Sequence, residues 1–464
     1  MNSHVVASVV SLHRPPLVWA ALAAAALTVW TPSASAGDGK FIINVMDYGA
    51  TGDGSTDDRA AIQAALDAAK SDTVRADGTS SPRGVVVYFP EGVYTVEGTL
   101  FLCRSSGIEI VGAGTPAADL RDNSLFTQTY HYASNPANPL VYVNGPSTAI
   151  IARFKAPMPL FNFGDGPTGA DIGQVGNSMR DMILYGCPLG DETARANCTS
   201  LIHTGSRGFG NSFNKYEGLV LRDALKGFTL GASSSDGNND TLVFERINAF
   251  DVDTVFQPQT TQALNHVYRQ IGATNCITVF DYDNGATAGG AVSVDTVSLT
   301  GCGGSGTEDW VIKVHGHVNT GAFRFVNVRP ETTTEQLLRS RGVGVTEIAN
   351  LQDARLYSAN HPALIRIEGG SVLLSASEVV PNTNGTTIGF APVVEFVASS
   401  GYKRTFRVRD SILPTTRPAL GGTGYLSDII KNFSTIPGNS FYRVHTCDDQ
   451  TVEPLSDATI AGSW

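Results

Sequence analysis

The chain has 464 residues, 42% of them hydrophobic and 16% charged, with 49 Gly and 22 Pro. That balance excludes a disordered chain, which is poor in apolar residues, and a collagen, which needs Gly at every third position. With 32 Lys plus Arg against 43 Asp plus Glu the formal charge is −11, which leaves no broad basic surface for nucleic acid or anionic lipid.

The first predicted element is an address. Residues 1–36 read as a secretory signal peptide: Arg14 ends a weakly basic start, Leu17 to Val29 is apolar, and Ala34-Ser35-Ala36 supplies small residues for cleavage. The apolar run is shorter than the roughly 20 residues a bilayer requires. The expectation is a secreted protein, extracellular or periplasmic, cleaved near Ala36 and without membrane contact in its mature form. Export makes the six cysteines candidates for disulfides. Cys187 and Cys198 flank a Pro/Gly loop, Cys276 and Cys302 form a second candidate pair, and Cys103 and Cys447 are left over. Six cysteines allow about 15 pairings, so the connectivity stays open.

Phe41-Ile42-Ile43-Asn44 predicts a short strand, followed by a Gly/Asp turn. Ala61, Ile62, Ala65, Leu66 and Ala69 recur at helical spacing and predict a helix from Asp57 to Lys70, capped by Thr56 or Asp57 with Asp58 in its first turn. Strands are expected at Gly84–Pro90, Gly92–Val96 and Ile108–Gly112. Beyond residue 140 the text is short apolar runs punctuated by Gly, Asn, Asp or Pro.

These runs repeat. Met179-Arg180, Tyr216-Glu217, Phe244-Glu245, Tyr268-Arg269, Val294-Asp295 and Phe325-Val326 fall in register, with steps of 28, 24, 26 and 31 residues from Glu217 onward and 37 before it. A second strand recurs as Gly227–Leu230, Thr254–Phe256 and Ile277–Phe280. Such a step with variable insertions predicts an all-β solenoid, with rungs stacked about 4.8 Å apart.

Asn44-Val45-x-Asp47-Tyr48-Gly49-Ala50-x-Gly52-Asp53-Gly54-x-Thr56-Asp57-Asp58 is followed by Ala61-Ile62-Gln63-x-Ala65 and then by Gly84, Val86, Phe89-Pro90, Gly92 and Tyr94. This order resembles the N-terminal signature of the pectate-lyase superfamily. The resemblance implies a right-handed parallel β-helix with a short N-terminal capping helix. It divides the chain into 37–112 (cap and first coils), 113–430 (β-helix body with loop insertions) and 431–464 (C-terminal tail or cap). It also implies a carbohydrate polymer or oligosaccharide as partner, and a monomer or homotrimer. Members include hydrolases, lyases, epimerases and phage tailspikes, and the acidic and histidine motifs of the polygalacturonase type are absent here.

The column after the aromatic position holds Arg180, Glu217, Glu245, Arg269, Asp295 and Val326. Its charges must face water, because a row of them inside an apolar solenoid would be too costly to desolvate. Glycoside hydrolysis uses two carboxyls, one protonated. Glu217 and Glu245, on adjacent rungs, are the expected acid and nucleophile-or-base, with Asp295 as alternative partner. Mutual repulsion would raise one pKa. Arg269 and Arg180 would hold substrate, with Lys215, His266 and Tyr268 as further contacts, although His266 also reads as a satisfied structural histidine. The expected activity is glycosidic cleavage without a cofactor. One alternative is a lyase acting on a uronate with Arg269 or Lys215 as base, and Ca²⁺ as a possible cation. Another is a non-catalytic glycan-binding module. His315 and His317 share a predicted strand face and could serve as acid/base or as a metal pair; with no third ligand in sight the structural reading is favoured. Asp223 and Asp251 read as turn formers, as do Asp281 and Asp283. Tyr130, Tyr132, Trp310 and Tyr402 are possible sugar-stacking aromatics.

Overall fold

A computed structural model describes the chain from Phe41 to Val444 together with 453–454, except for 74–83, 104, 116–146, 165–174, 188–190, 206–210, 232–238, 261–262, 284–288, 305, 307, 317–320, 332–335, 353, 357–362, 382–392, 398–402, 412–429 and 432–438. The expected signal segment, Cys447, Tyr130, Tyr132, His317, Tyr402 and most of the C-terminal tail lie outside the described residues.

The repeat in the text becomes a stack of coils. Lys215–Leu230 pairs in parallel with Val243–Pro258, which pairs with Val267–Thr274 and then with Thr278–Tyr282. The register runs Arg180, Glu217, Glu245, Arg269, Asp295, Val326, one residue per rung. The result is an all-β architecture of mostly parallel strands with few helices, as a β-helix requires.

Each coil bends at residues in the left-handed region. One corner is Phe213, Thr241, Asn265 and Ala291; a second is Asp181, Gly218, Arg246, Gln270, Thr296 and Asn327; a third is Asp223, Asp251, Asn275 and Gly301. Asn, Asp and Gly adopt that conformation at low cost, whereas Arg246, Gln270 and Thr296 are held there by the paired rungs on both sides. The corners divide a coil into three faces. The first carries Glu217 and Glu245, the second Asn248 and Phe250, and the third Phe256 and Phe280.

Alternation decides what fills the interior. Tyr216, Phe244 and Tyr268 stack at centroid distances of 5.4 and 4.7 Å, and Phe228, Phe256 and Phe280 stack at 5.3 and 5.4 Å. The two ladders meet edge to face, for example Phe244 on Phe256 at 5.0 Å.

The helix spans Arg59–Thr73 and buries Ile62, Ala65, Leu66 and Ala69 against the strands Phe41–Asn44, Val85–Phe89 and Leu100–Leu102. It starts two residues later than the spacing predicts, because Asp53–Asp57 forms a short strand paired with Gly92–Val96. Asp57 caps it, accepting from Arg59 N–H at 3.1 Å. The Asp58 carboxylate instead turns into the preceding loop and accepts from Thr51 N–H (2.7 Å) and Gly52 N–H (3.2 Å).

Among the described residues the expected disulfides Cys187–Cys198 and Cys276–Cys302 are not formed, and these four cysteines, like Cys103, are buried. Cys276 and Cys302 do neighbour each other and share a hydrogen bond. Cysteine here acts as a small apolar filler of the coil interior.

His266 and Tyr268, expected to contact substrate, are fully buried. His266 Nδ1 lies 2.6 Å from the Tyr282 hydroxyl and its Nε2 2.5 Å from the Asn239 carbonyl, while the Tyr268 hydroxyl bonds Tyr282 at 2.7 Å. The aromatic position of each repeat points inward, so Tyr268 is part of the ladder and His266 closes a polar network beside it. Burial lowers the His266 pKa from 6.5 to about 4. The unfolded chain therefore takes up a proton that the folded coil refuses. Stability is expected to be full above about pH 6.5 and to fall as pH drops toward 4, by up to about 1.4 kcal/mol per unit. Urea midpoints at pH 7 and pH 5 measure this, and His266→Gln should flatten the dependence.

Candidate functional site

On the first face the charged column is assembled, and its two glutamates are neutralised by Lys215 and Arg246 beside it. Lys215 Nζ sits 2.7 Å from Glu217 Oε2 and 3.1 Å from Glu245 Oε2, and Arg246 reaches Glu217 Oε1 at 2.7 Å. The Lys215 hydrogen bond holds the Glu217 carboxyl below its ordinary range, against the opposing effect of burial. The repulsion expected to keep a proton on one glutamate is thus cancelled by the shared ammonium. Bonding to Glu217 raises the Lys215 pKa in turn, so Lys215 stays charged and is unsuited to act as a base.

Arg180 is committed to Glu109 and Asp181, both at 2.6 Å, rather than held free for substrate. Asp295 accepts from Asn327 Nδ2 at 2.9 Å. Arg269 and Asp295 are exposed on this face. Lys215 and its partners are partly solvated, so Lys215→Ala should cost less than about 1 kcal/mol in urea denaturation, and less still at high salt.

The third face carries a different assembly. Asp281, Lys313, Arg339, Arg366 and Glu395 align on successive rungs, pointing outward. Two residues further along each strand come Asp283, His315, Arg341 and Glu368, with Tyr282, Val314, Ser340 and Ile367 turned inward between the columns.

His315 Nδ1 lies 3.3 Å from Asp283 Oδ1. Arg341 donates to Asp283 Oδ2 at 3.1 Å and to Glu368 Oε2 at 2.8 Å, and Arg339 bonds Glu368 Oε1 at 2.8 Å as well as Glu308. The Asp283 and Glu368 side chains are only 5% and 9% exposed, whereas His315 and Arg341 are 37% and 40% exposed. Burial opposes ionisation of Glu368, but the hydrogen bonds from Arg339 and Arg341 outweigh it and hold the carboxyl below its ordinary range. Gly342 makes room for the ring: a Cβ there would lie 2.6 Å from His315 Cδ2.

Buried ion pairs are a poor route to stability, since apolar residues of similar size often do as well or better. Their clustering beneath a solvent-reachable imidazole makes this face a candidate site. Asp283 stands on the Nδ1 side of the His315 ring, which leaves Nε2 as the ring nitrogen not facing that carboxylate. The third guanidinium nitrogen of Arg341 has no partner among the described residues. Among the described residues no group of three or more His, Cys, Asp or Glu side chains could hold a metal ion.

Sequence reasoning named His315 but read Asp283 as a turn residue. The alternation Asp281-Tyr282-Asp283, set against Lys313-Val314-His315 and Arg339-Ser340-Arg341, was the available signal. Asp223 and Asp251 sit at a corner as expected, yet burial raises the Asp223 pKa to about 6. Its Oδ2 is sealed from solvent without a hydrogen-bond partner among the described residues. Trp310 is fully buried and is no stacking platform.

Residues 42–151 match the family described as Rhamnogalacturonase A/epimerase, pectate lyase-like. The N-terminal coils are pectate-lyase-like. Plasmin and fibronectin-binding protein A of Streptococcus pneumoniae is 30% identical to this chain over 195 residues, 42% of this chain and 22% of that protein. Mannuronan C5-epimerase AlgE1 of Azotobacter vinelandii is 47% identical over 76 residues, 15% of this chain and 5% of the enzyme. The matches therefore span less than a quarter of these relatives' own lengths. Among solved structures, DFA-IIIase from Arthrobacter chlorophenolicus A6 in complex with GF2 aligns with a TM-score of 0.50 at 11% identity, covering 91% of this chain and 96% of that one. That likeness concerns the fold alone.

Proposed function

We propose that this chain is an exported carbohydrate-active enzyme that cleaves a uronate-containing polysaccharide by β-elimination on its third face. The observation that carries the reading is His315 backed by the buried Asp283, with Arg341 on the adjacent rung. His315 Nε2 removes the C5 proton. The C–H electron pair forms the C4=C5 double bond, and the glycosidic oxygen leaves C4 and takes a proton from water or from the imidazolium. Arg341 neutralises the uronate carboxylate, which acidifies C5. Asp283 is a positioning residue that fixes the imidazole and stabilises its charged form. Curated relatives include mannuronan C5-epimerases and alginate lyase 7, whose names point to uronate chemistry and support the same reading. In this scheme Arg341 takes the part that Ca²⁺ would play, and no cofactor is invoked.

A second reading is glycoside hydrolysis by Glu217 and Glu245. Their adjacent rungs favour it, while the Lys215 ammonium shared by both carboxylates relieves the repulsion that would keep one of them protonated and so opposes it. Product analysis separates the two. Polygalacturonate or polymannuronate should yield products absorbing near the ultraviolet edge. New reducing ends without absorbance would transfer the activity to the hydrolase reading, and binding without turnover would point to a glycan-binding module.

A further inference from the structure

The second face holds a groove that the proton chemistry of the third does not use. Its volume is about 370 Å³, and it crosses the rungs from Asn248 and Phe250 to Arg329 and Glu331, with Gln352 at its rim. Asn248, Gly272, Ser298 and Arg329 form one outward column, and Thr274, Thr300 and Glu331 continue the next. Gly272 is the notch: a Cβ there would lie 2.4 Å from Asn248 Oδ1.

Amides and hydroxyls of Asn248, Gln270, Thr274, Thr296, Ser298 and Thr300 share the lining with the larger apolar surface of Phe250, Ile271, Ala273 and Val297. Its two charges, Arg329 and Glu331, pair with each other at 3.4 Å. The rim is pre-set by an amide chain, in which Gln352 donates to Asn350 at 3.0 Å and Asn350 to Asn327 at 2.6 Å. At one end Phe250 offers an aromatic ring, with the Arg222 guanidinium 5.6 Å from its centroid.

We infer that this groove binds a neutral glycan segment, apart from the face that carries His315. Three features select that ligand. Rows of fixed amide and hydroxyl groups match sugar hydroxyls, each of which donates and accepts. An aromatic ring at the end suits the apolar face of a pyranose. The internally paired charges leave little to attract a uronate, so the groove discriminates against the polymer proposed for the third face. The rung spacing of about 4.8 Å presents these groups at intervals comparable to one sugar residue of an extended chain. The inference rests on the proposed function only in taking the ligand to be a glycan.

The test is calorimetric titration of the full chain with cellohexaose and maltohexaose, and with hexagalacturonate as the charged comparison. At least one neutral hexasaccharide should bind more tightly than hexagalacturonate does to His315→Ala. Ser298 is exposed in the groove, so Ser298→Trp should fill it without altering the melting temperature. That variant should weaken neutral binding tenfold or more while leaving uronate turnover intact. Thr274→Trp, one rung away, should do the same. Neutral binding should persist in His315→Ala, which separates this inference from the catalytic one. Neutral binding that survives both tryptophan variants, or no neutral binding at all, would overturn it.

Discussion

Replacing His315 with alanine is expected to lower kcat on a uronate polymer by about 10²–10⁴-fold, the usual contribution of a positioned proton carrier. The melting temperature should hardly move, because the imidazole is 37% exposed and lies outside the apolar core. Asp283→Asn should give a smaller loss accompanied by an altered pH profile, since the amide no longer stabilises the imidazolium. A merely structural Asp283 would change stability and leave the profile alone. Glu245→Gln is the control on the first face: it should leave turnover near the wild-type rate, and a collapse of activity there would favour the paired-glutamate reading. Steady-state rates from ultraviolet absorbance, taken across pH, read all three variants.

The largest effect on stability is expected from Phe244→Ala, at about 3–5 kcal/mol. Phe244 is fully buried and touches both ladders: it stacks on Tyr216 at 5.4 Å and Tyr268 at 4.7 Å and meets Phe228 and Phe256 edge-on, each at 5.0 Å. In a stack of rungs each coil is supported mainly by its neighbours, so a cavity at one level loosens the levels on either side. Urea denaturation measures the loss. A cost below about 1 kcal/mol would mean that the ladder is not the main support of the coil.

The stacking was legible because it is written as a repeat. The aromatic-or-aliphatic residue followed by a charged one, from Tyr216-Glu217 to Val294-Asp295, aligns in the structure as it aligns in the text. The helix was legible from Ala61, Ile62, Ala65 and Leu66, whereas its start was obscured because Asp53–Asp57 pairs with a strand distant in sequence. The site was harder to read. An outward charged column satisfies the desolvation argument whether its members neutralise one another or meet substrate, and the reach of Lys215 to both glutamates depends on side-chain geometry that spacing does not encode. His266 could be read as a sugar contact or as a satisfied structural histidine, and the Tyr282 hydroxyl and Asn239 carbonyl satisfy it inside. Asp283 was missed because the repeat was traced through the first face, and its partners Arg341 and Glu368 belong to strands whose alignment begins only at Thr278.

The most direct measurement is nuclear magnetic resonance of a uronate oligosaccharide turned over in D₂O, following the C5 proton. Removal of that proton by His315 predicts unsaturated ends lacking the C5–H signal for the wild type and an unchanged substrate spectrum for His315→Ala. Deuterium at C5 in an intact chain would keep the proton abstraction and replace elimination by epimerisation. New reducing ends that retain C5–H, formed equally well by His315→Ala, would contradict the account.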